Sequence, residues 1–244
     1  MENSLPDILA FALIPVAAAI LGATIAAFRP PNSTVRSYIQ HLAAGVVFSI
    51  VSVELLPEIM HRQAPIDVAI GFAAGVVVML GIKSLTERLA SSQSAHKEAK
   101  AESPVGMLVA VGVDVLLDGF LIGISFGMEG KGGELLTFAL TVELLSLGLA
   151  VATTLGKVGM SRTRIIGTAT SVFLLIMVGA AIGTVLLKQI SGSAMEILLS
   201  FGLAALLYLV TEELLVEAHE EPETPLQTAS FFGGFLLFLL LAMM

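Results

Sequence analysis

Long apolar runs separated by short polar breaks fill the chain from one end to the other. Eight runs are long enough to cross a bilayer as helices: roughly Leu5–Phe28, Tyr38–Met60, Ile66–Ser84, Pro104–Gly127, Gly133–Gly156, Ile165–Leu187, Ala194–Val216 and Leu226–Met244. A spanning helix needs about 20 mostly apolar residues, and each run is close to that length. The breaks hold Pro, Gly, Ser and charge, as in RPPNSTVR, HRQAP, GMEGKGG and EAHEEPETP, which stop helices and favour water. The longest polar stretch, Lys83 to Ser103, is too short for a soluble domain of its own. The pattern therefore predicts an all-α membrane protein of eight transmembrane helices, folded as a single domain over residues 1–244.

Composition agrees. Of 244 residues, 13% are charged, about half the roughly 25% usual for soluble domains. The mean hydropathy is +0.95. No cysteine is present, which excludes disulfides, thiolate metal sites and a cysteine nucleophile. The net charge of −8 argues against a nucleic-acid partner. The start, MENSLPDILAF, has no basic n-region, so the first run reads as a retained helix rather than a signal peptide.

The basic residues give direction. The first, third, fifth and seventh connections hold nine of them: Arg29, Arg36, Lys83, Arg88, Lys97, Lys100, Lys157, Arg162 and Arg164. The second, fourth and sixth hold three: Arg62, Lys131 and Lys188. Basic residues favour the cytoplasmic side, so the odd connections are expected there and both termini outside. The expected location is a prokaryotic inner membrane.

The chain also repeats itself. Ala43–His61 aligns with Gly202–Glu220 without a gap, placing Glu54 on Glu213 and Glu58 on Glu217 at an offset of 159 residues. The same offset carries Phe72 and Gly75 onto Phe231 and Gly234. Runs one and six match more weakly, through Ile20–Thr24 and Ala181–Val185. Helices 1–3 and 6–8 thus form two repeats, about residues 5–84 and 165–244, around helices 4 and 5 at about 104–156. Because helix 1 begins outside and helix 6 inside, the repeats are expected to be inverted, an arrangement that places transporter sites near the midplane. Helices 4 and 5 match at an offset of 29, Asp114 on Glu143 and Gly119 on Gly148.

Charge inside the apolar runs marks the candidate site. Asp114 and Asp118 sit mid-run in VDVLLDGFLIG, and their i, i+4 spacing puts them on one helix face. Glu143 lies at similar depth in the next run. An ionised carboxylate at the bilayer centre costs at least about 2.5–3.5 kcal/mol. Three acids on neighbouring helices, with no Lys, Arg or His in those runs, call for a shared cation, shared protons or water. Protonated acids that only hydrogen-bond between helices are the plainer alternative.

Two further acidic pairs, Glu54 with Glu58 and Glu213 with Glu217, fall near opposite mouths. They read as an outer entrance and an inner exit for a cation, the exit assisted by His219. Snorkelling to interfacial water is the alternative for Glu58 and Glu217. Pro57 is expected to distort the end of helix 2. His41, His61 and His96 read as solvated. Helices 2, 4, 5 and 7 should line the path, and 1, 3, 6 and 8 should face lipid.

These residues resemble the ZIP (Zrt/Irt-like) divalent metal transporters. The resemblance rests on the eight-helix layout, the ELLPE and EELLVEAH helix ends and the DxxxDG of helix 4, and it covers nearly the whole chain. It implies a three-two-three inverted repeat, a metal site between helices 4 and 5, and alternating access. The usual helix 4 pattern of that family, His-Asn-x-x-acid-Gly, here reads Asp114-Val115-Leu116-Leu117-Asp118-Gly119. In helix 5, Glu143 takes a His-like position, while Leu144, Ser146 and Leu147 replace a polar residue, a proline and a second acid. A two-metal centre would therefore be incomplete, whereas a single all-oxygen site of Asp114, Asp118 and Glu143, completed by water or Ser146, remains.

The expected function is transport of a divalent metal ion into the cytoplasm. The resemblance favours zinc. Carboxylates also suit manganese and other hard ions, and iron stays open. The metal is cargo; no prosthetic group is expected. The alternatives are a ZIP-like metal sensor or scaffold with a degenerate site and, far behind, an intramembrane aspartyl protease. Catalysis is not expected. The sequence leaves oligomeric state open, a homodimer included.

Overall fold

The computed structural model describes residues 4–94, 104–128, 131–190, 192–219 and 224–244; for 86–94 and 104 it describes the backbone alone. His96, Lys97, Lys100, Ser103 and Glu220, named above, lie outside the described residues, as does the side chain of Arg88. The fold is all-helical, with no strand among the described residues. Among the described residues, eight helices are long and apolar enough to cross a membrane. They are α1 (Leu5–Phe28), α2 (Ser33–Arg62), α3 (Pro65–Ser94), α4 (Pro104–Ser125), α5 (Gly132–Lys157), α6 (Arg162–Leu187), α7 (Ser193–Ala218) and α8 (Pro225–Ala242).

Helix starts follow local chemistry. Asn32 Oδ1 accepts from the Val35 amide at 2.8 Å and caps α2, so this helix begins at Ser33, well before the apolar run that announced it. Its first turns carry Ser37, Gln40 and His41, polar residues that are nonetheless buried. The reading of His41 as solvated is thereby corrected: it packs inside the protein. At α8, Thr224 and Gln227 form a capping box, with the Thr224 amide donating to Gln227 Oε1 at 2.6 Å and Pro225 in the first turn. α3 runs to Ser94, a turn or more beyond its apolar stretch.

Two helices are locally widened. In α2 the Leu56 amide bonds to the Val51 carbonyl, five residues back, and Val51–Leu55 forms a π-helical turn just before Pro57. Pro57 has no N–H and crowds the carbonyl four residues earlier, which accounts for distortion here. In α7 the Leu215 amide bonds to the Val210 carbonyl, and the π turn Leu209–Leu214 has no proline beside it. Both π bonds sit at the 159-residue offset of the sequence repeat. The turns carry Glu54 and Glu213, and π turns recur where a helix must re-aim a functional side chain. α6 is interrupted only at Leu174, between Arg162–Phe173 and Leu175–Leu187.

Packing joins α1 to α5, α4 to α6, α2 to α8 and α3 to α7 as the most extensive pairs. α1 also packs on α6, and α4 on α5. One group of four helices is thus α1, α4, α5 and α6, the other α2, α3, α7 and α8. The two meet where α2 lies on α5 and α3 on α4. Without a hydrophobic drive between helices in lipid, close approach depends on small residues. Gly148 lies against the Ala19 carbonyl, and Gly119 against that of Ile176; a Cβ at either position would strike backbone. Gly148→Leu and Gly119→Leu are expected to lower stability by about 1–3 kcal/mol or more, as overpacking does. Gly233→Leu, whose Cβ would meet nothing within 4 Å, should be nearly neutral. Thermal unfolding in detergent measures the contrast.

Candidate functional site

α4 and α5 cross with their carboxylates facing each other. Asp114 and Asp118 come from consecutive turns near the middle of α4, and Glu143 from the middle of α5. One carboxylate oxygen from each lies within 4.8 Å of the others. Asp118 and Glu143 are 2% and 1% exposed. Among the described residues, neither oxygen of Glu143 and not Oδ2 of Asp118 has a hydrogen-bond partner. α4 contains no basic residue, and the only one in α5 is Lys157 at its last position. Ser146 is buried one turn beyond Glu143.

The magnitude decides what such a cluster needs. Two ionised carboxylates about 4.8 Å apart repel by about 3.5 kcal/mol at an effective dielectric of about 20. Three such pairs amount to about 10 kcal/mol, comparable with the whole stability of a typical domain. No hydrogen bond to Glu143 relieves this among the described residues. The cluster is built to hold positive charge, as protons or as a cation.

A cavity of about 270 Å³ reaches the cluster from the face that carries the odd connections. Asp114, Leu147, Met79, Glu213 and Glu217 line it, and Lys83 and Glu212, each about half exposed and paired at 3.2 Å, stand at its rim. α3 therefore lines the cavity through Met79 and Lys83, although its apolar run was expected to face only lipid. A smaller space of about 10 Å³ beside Asp114 and Asp118 is bounded by Met79 and Leu209. Towards the opposite face the lining turns apolar: Leu55, Leu121, Ile124, Leu136, Leu199 and Leu206 surround about 10 Å³ of space.

The remaining predicted residues divide. Glu213 stands in Coulombic range of Asp114, Asp118 and Glu143, and it shares the cavity lining with Asp114. Glu217 also lines it, and its Oε2 accepts from Gln40 Nε2 at 2.5 Å. His219 follows the end of α7, with Nδ1 against the Leu215 carbonyl and its ring 5.4 Å from that of buried His41. Beside it Ser37 Oγ donates to the Ala218 carbonyl at 2.9 Å, tying the start of α2 to the end of α7. On the opposite face Glu54 is partly buried in its π turn. Glu58 is bound to Arg62, whose Nη2 and Nε donate to its Oε1 at 2.6 and 2.9 Å.

Sequence reasoning missed three contributors. Glu196 reaches Arg62 from the first turn of α7, at 3.3 Å. Its position at the edge of an apolar run gave no warning that it is buried. Met79 and Gln40 carry no charge, and only packing reveals that one borders the acids and the other holds Glu217.

Eight apolar helices around a buried acidic cluster make this an integral membrane protein. Comparison with protein-family models and with curated proteins returns no match.

Proposed function

We propose that the protein carries a divalent metal ion across the membrane by alternating access, with Asp114, Asp118 and Glu143 as the midway site. The observation that carries this reading is the convergence of three carboxylates without a basic partner, Asp118 and Glu143 buried and Asp114 at the inner end of a cavity open to one face. A divalent cation is acceptor-only chemistry answered directly: oxygens at about 2.0–2.6 Å would replace its water, and its charge would cancel the repulsion. Val115 and Leu144, where the ZIP resemblance would place further ligands, are buried and apolar, which favours one ion rather than two.

The proposed path runs from Glu58 and Glu54 through the three acids to Glu213, Glu217 and His219. The odd-connection face is taken as cytoplasmic from its excess of basic residues. The inverted three-two-three repeat belongs to this proposal, and several contacts support it. Gly75 packs on Phe201, and Gly234 on Leu42; shifting either pair by 159 residues gives the other with its partners exchanged. Gly22 meets Leu145 and Leu149, while Gly179 meets Leu116 and Phe120, as an exchange of α1 with α6 and of α5 with α4 requires. That pairing relates α1 to α6 at an offset of 157, one helical turn away from the weak sequence match. Membership of the ZIP family, zinc as the headline cargo, and manganese or iron as further cargoes are part of the same reading.

Uptake of radioactive manganese and zinc into proteoliposomes tests it. The native chain is expected to load vesicles above the protein-free rate, and Asp114→Ala/Asp118→Ala/Glu143→Ala to fall to that rate. Unchanged uptake in the triple variant rejects the site. Metal binding by the native chain with no uptake at all would favour a sensor.

A further inference from the structure

Arg62, on the last turn of α2, lies between two acids. Both Nε and Nη2 donate to a single oxygen of Glu58, and Nη1 reaches Glu196 Oε1 of α7 at 3.3 Å. The second contact is long for a charge-assisted bond, which is usually about 2.7–2.9 Å. The other oxygen of Glu196 is buried and has no partner among the described residues, although the residue as a whole is only 7% exposed. A guanidinium on a long stem thus satisfies Glu58 and leaves Glu196 half satisfied. Leaving a buried carboxylate oxygen without a donor is costly, and it persists where something else completes it.

We infer that Glu58 and Glu196 form a separate divalent-cation site at the even-connection face, in which the Arg62 guanidinium holds the place of the ion when none is bound. The site rests on the transport reading for its purpose and not for its chemistry. Two carboxylates supply up to four oxygens, including the two that Arg62 does not bond, and a small cation can draw them closer than a planar guanidinium allows. The location fits an ion waiting to pass inwards. Glu58 and Glu54 are one turn apart on α2, and Leu55 and Leu199, from the same two helix ends, belong to the apolar lining towards this face, which forms an apolar plug. While Arg62 bridges α2 to α7, these ends are held together over the plug. An arriving ion competes with Arg62 for both acids, so capture and release of that bridge are one event. Glu54 stands ready as the next ligand inwards.

The site is tested with the central one removed. In nanodiscs, Asp114→Asn/Asp118→Asn/Glu143→Gln is the background, and manganese binding is read by electron paramagnetic resonance and calorimetry. Adding Arg62→Gln is expected to produce one bound Mn²⁺ per chain, at least about tenfold tighter than any binding by the background, which is about 1.4 kcal/mol. Adding Glu196→Gln to that variant is expected to abolish it. Arg62→Met, which keeps the packing of the stem, gives the same readout if the glutamine variant does not fold. No gain of binding in either Arg62 variant overturns the site and leaves a plain helix-to-helix ion pair. Because the central acids are absent throughout, failure of the transport site is read separately, in the native chain.

Discussion

In the absence of metal, Glu143→Gln is expected to raise the stability of the protein, and to remove the further rise that a divalent ion gives the native chain. The amide keeps the shape of the carboxylate and loses its charge. Repulsion with Asp114 and Asp118, within 4.8 Å, ends. Even a buried ion pair is often replaced by well-packed neutral groups with no loss or with a gain of about 1–4 kcal/mol, and here the charge removed faces like charges. In the native chain, Mn²⁺ at about 100 times its dissociation constant should add about 2.7 kcal/mol by linkage. The sign with pH follows: ligand carboxylates must give up protons to bind metal, so the metal-induced gain shrinks as pH falls. The Gln variant has lost one of three ligands and should show little gain at any pH. Thermal unfolding with and without Mn²⁺ measures both effects. A Gln variant that keeps the full metal-induced rise would remove Glu143 from the site.

The same electrostatics explains why this centre was legible in the sequence and others were not. Asp114, Asp118 and Glu143 each interrupt a long apolar run, and an ionisable group there is costly enough on a spanning helix to stand out. Spacing alone put the two aspartates on one face. The repeat matches Glu54 to Glu213 in the sequence itself. What the sequence could not show is burial near helix ends, where polar residues normally meet water. Ser37, Gln40, His41 and Glu196 all lie there, and each is buried because α2 and α7 cross and cover one another's termini. Nor could it show that α7 widens at Leu209–Leu214 without a proline to mark the place. The depth to which α3 contributes was hidden too, since Met79 looks like any other apolar residue of its run.

Packing adds a mechanical consequence. The acids belong to α4 and α5, inside the group formed with α1 and α6 through close glycine contacts. Glu54, Glu58, Glu196, Glu213 and Glu217 belong to α2 and α7, in the other group. Under the proposed function, the cargo site therefore sits in one unit and both mouths in the other. A shift of one unit against the other would turn the acids from the odd-connection cavity towards the apolar plug without rebuilding either unit. The α2–α5 and α3–α4 contacts are the surfaces across which such a shift would take place.

Cysteine labelling distinguishes that scheme from a continuous pore, and the chain suits it because it has no cysteine of its own. Leu147→Cys and Val113→Cys line the 270 Å³ cavity and should react rapidly with a membrane-impermeant maleimide added to the odd-connection face. In inside-out vesicles this is the outer solution, if the basic residues mark the cytoplasm. Leu136→Cys and Leu199→Cys lie in the apolar plug, 4% and 1% exposed, and should stay unmodified from the opposite face. A cargo ion that drives the transition reverses the order: labelling of Leu147→Cys slows and that of Leu199→Cys begins. The arithmetic of population shift sets the scale. Moving an equilibrium from 1:99 to 99:1 requires a preference of about 5.5 kcal/mol between the two states, so a weaker cargo gives a partial change in both rates, always in opposite directions. Reactive cysteines at Leu136 and Leu199 in the absence of any ion, together with a reactive Leu147→Cys, would mean an aqueous path open at both ends, and alternating access would fall.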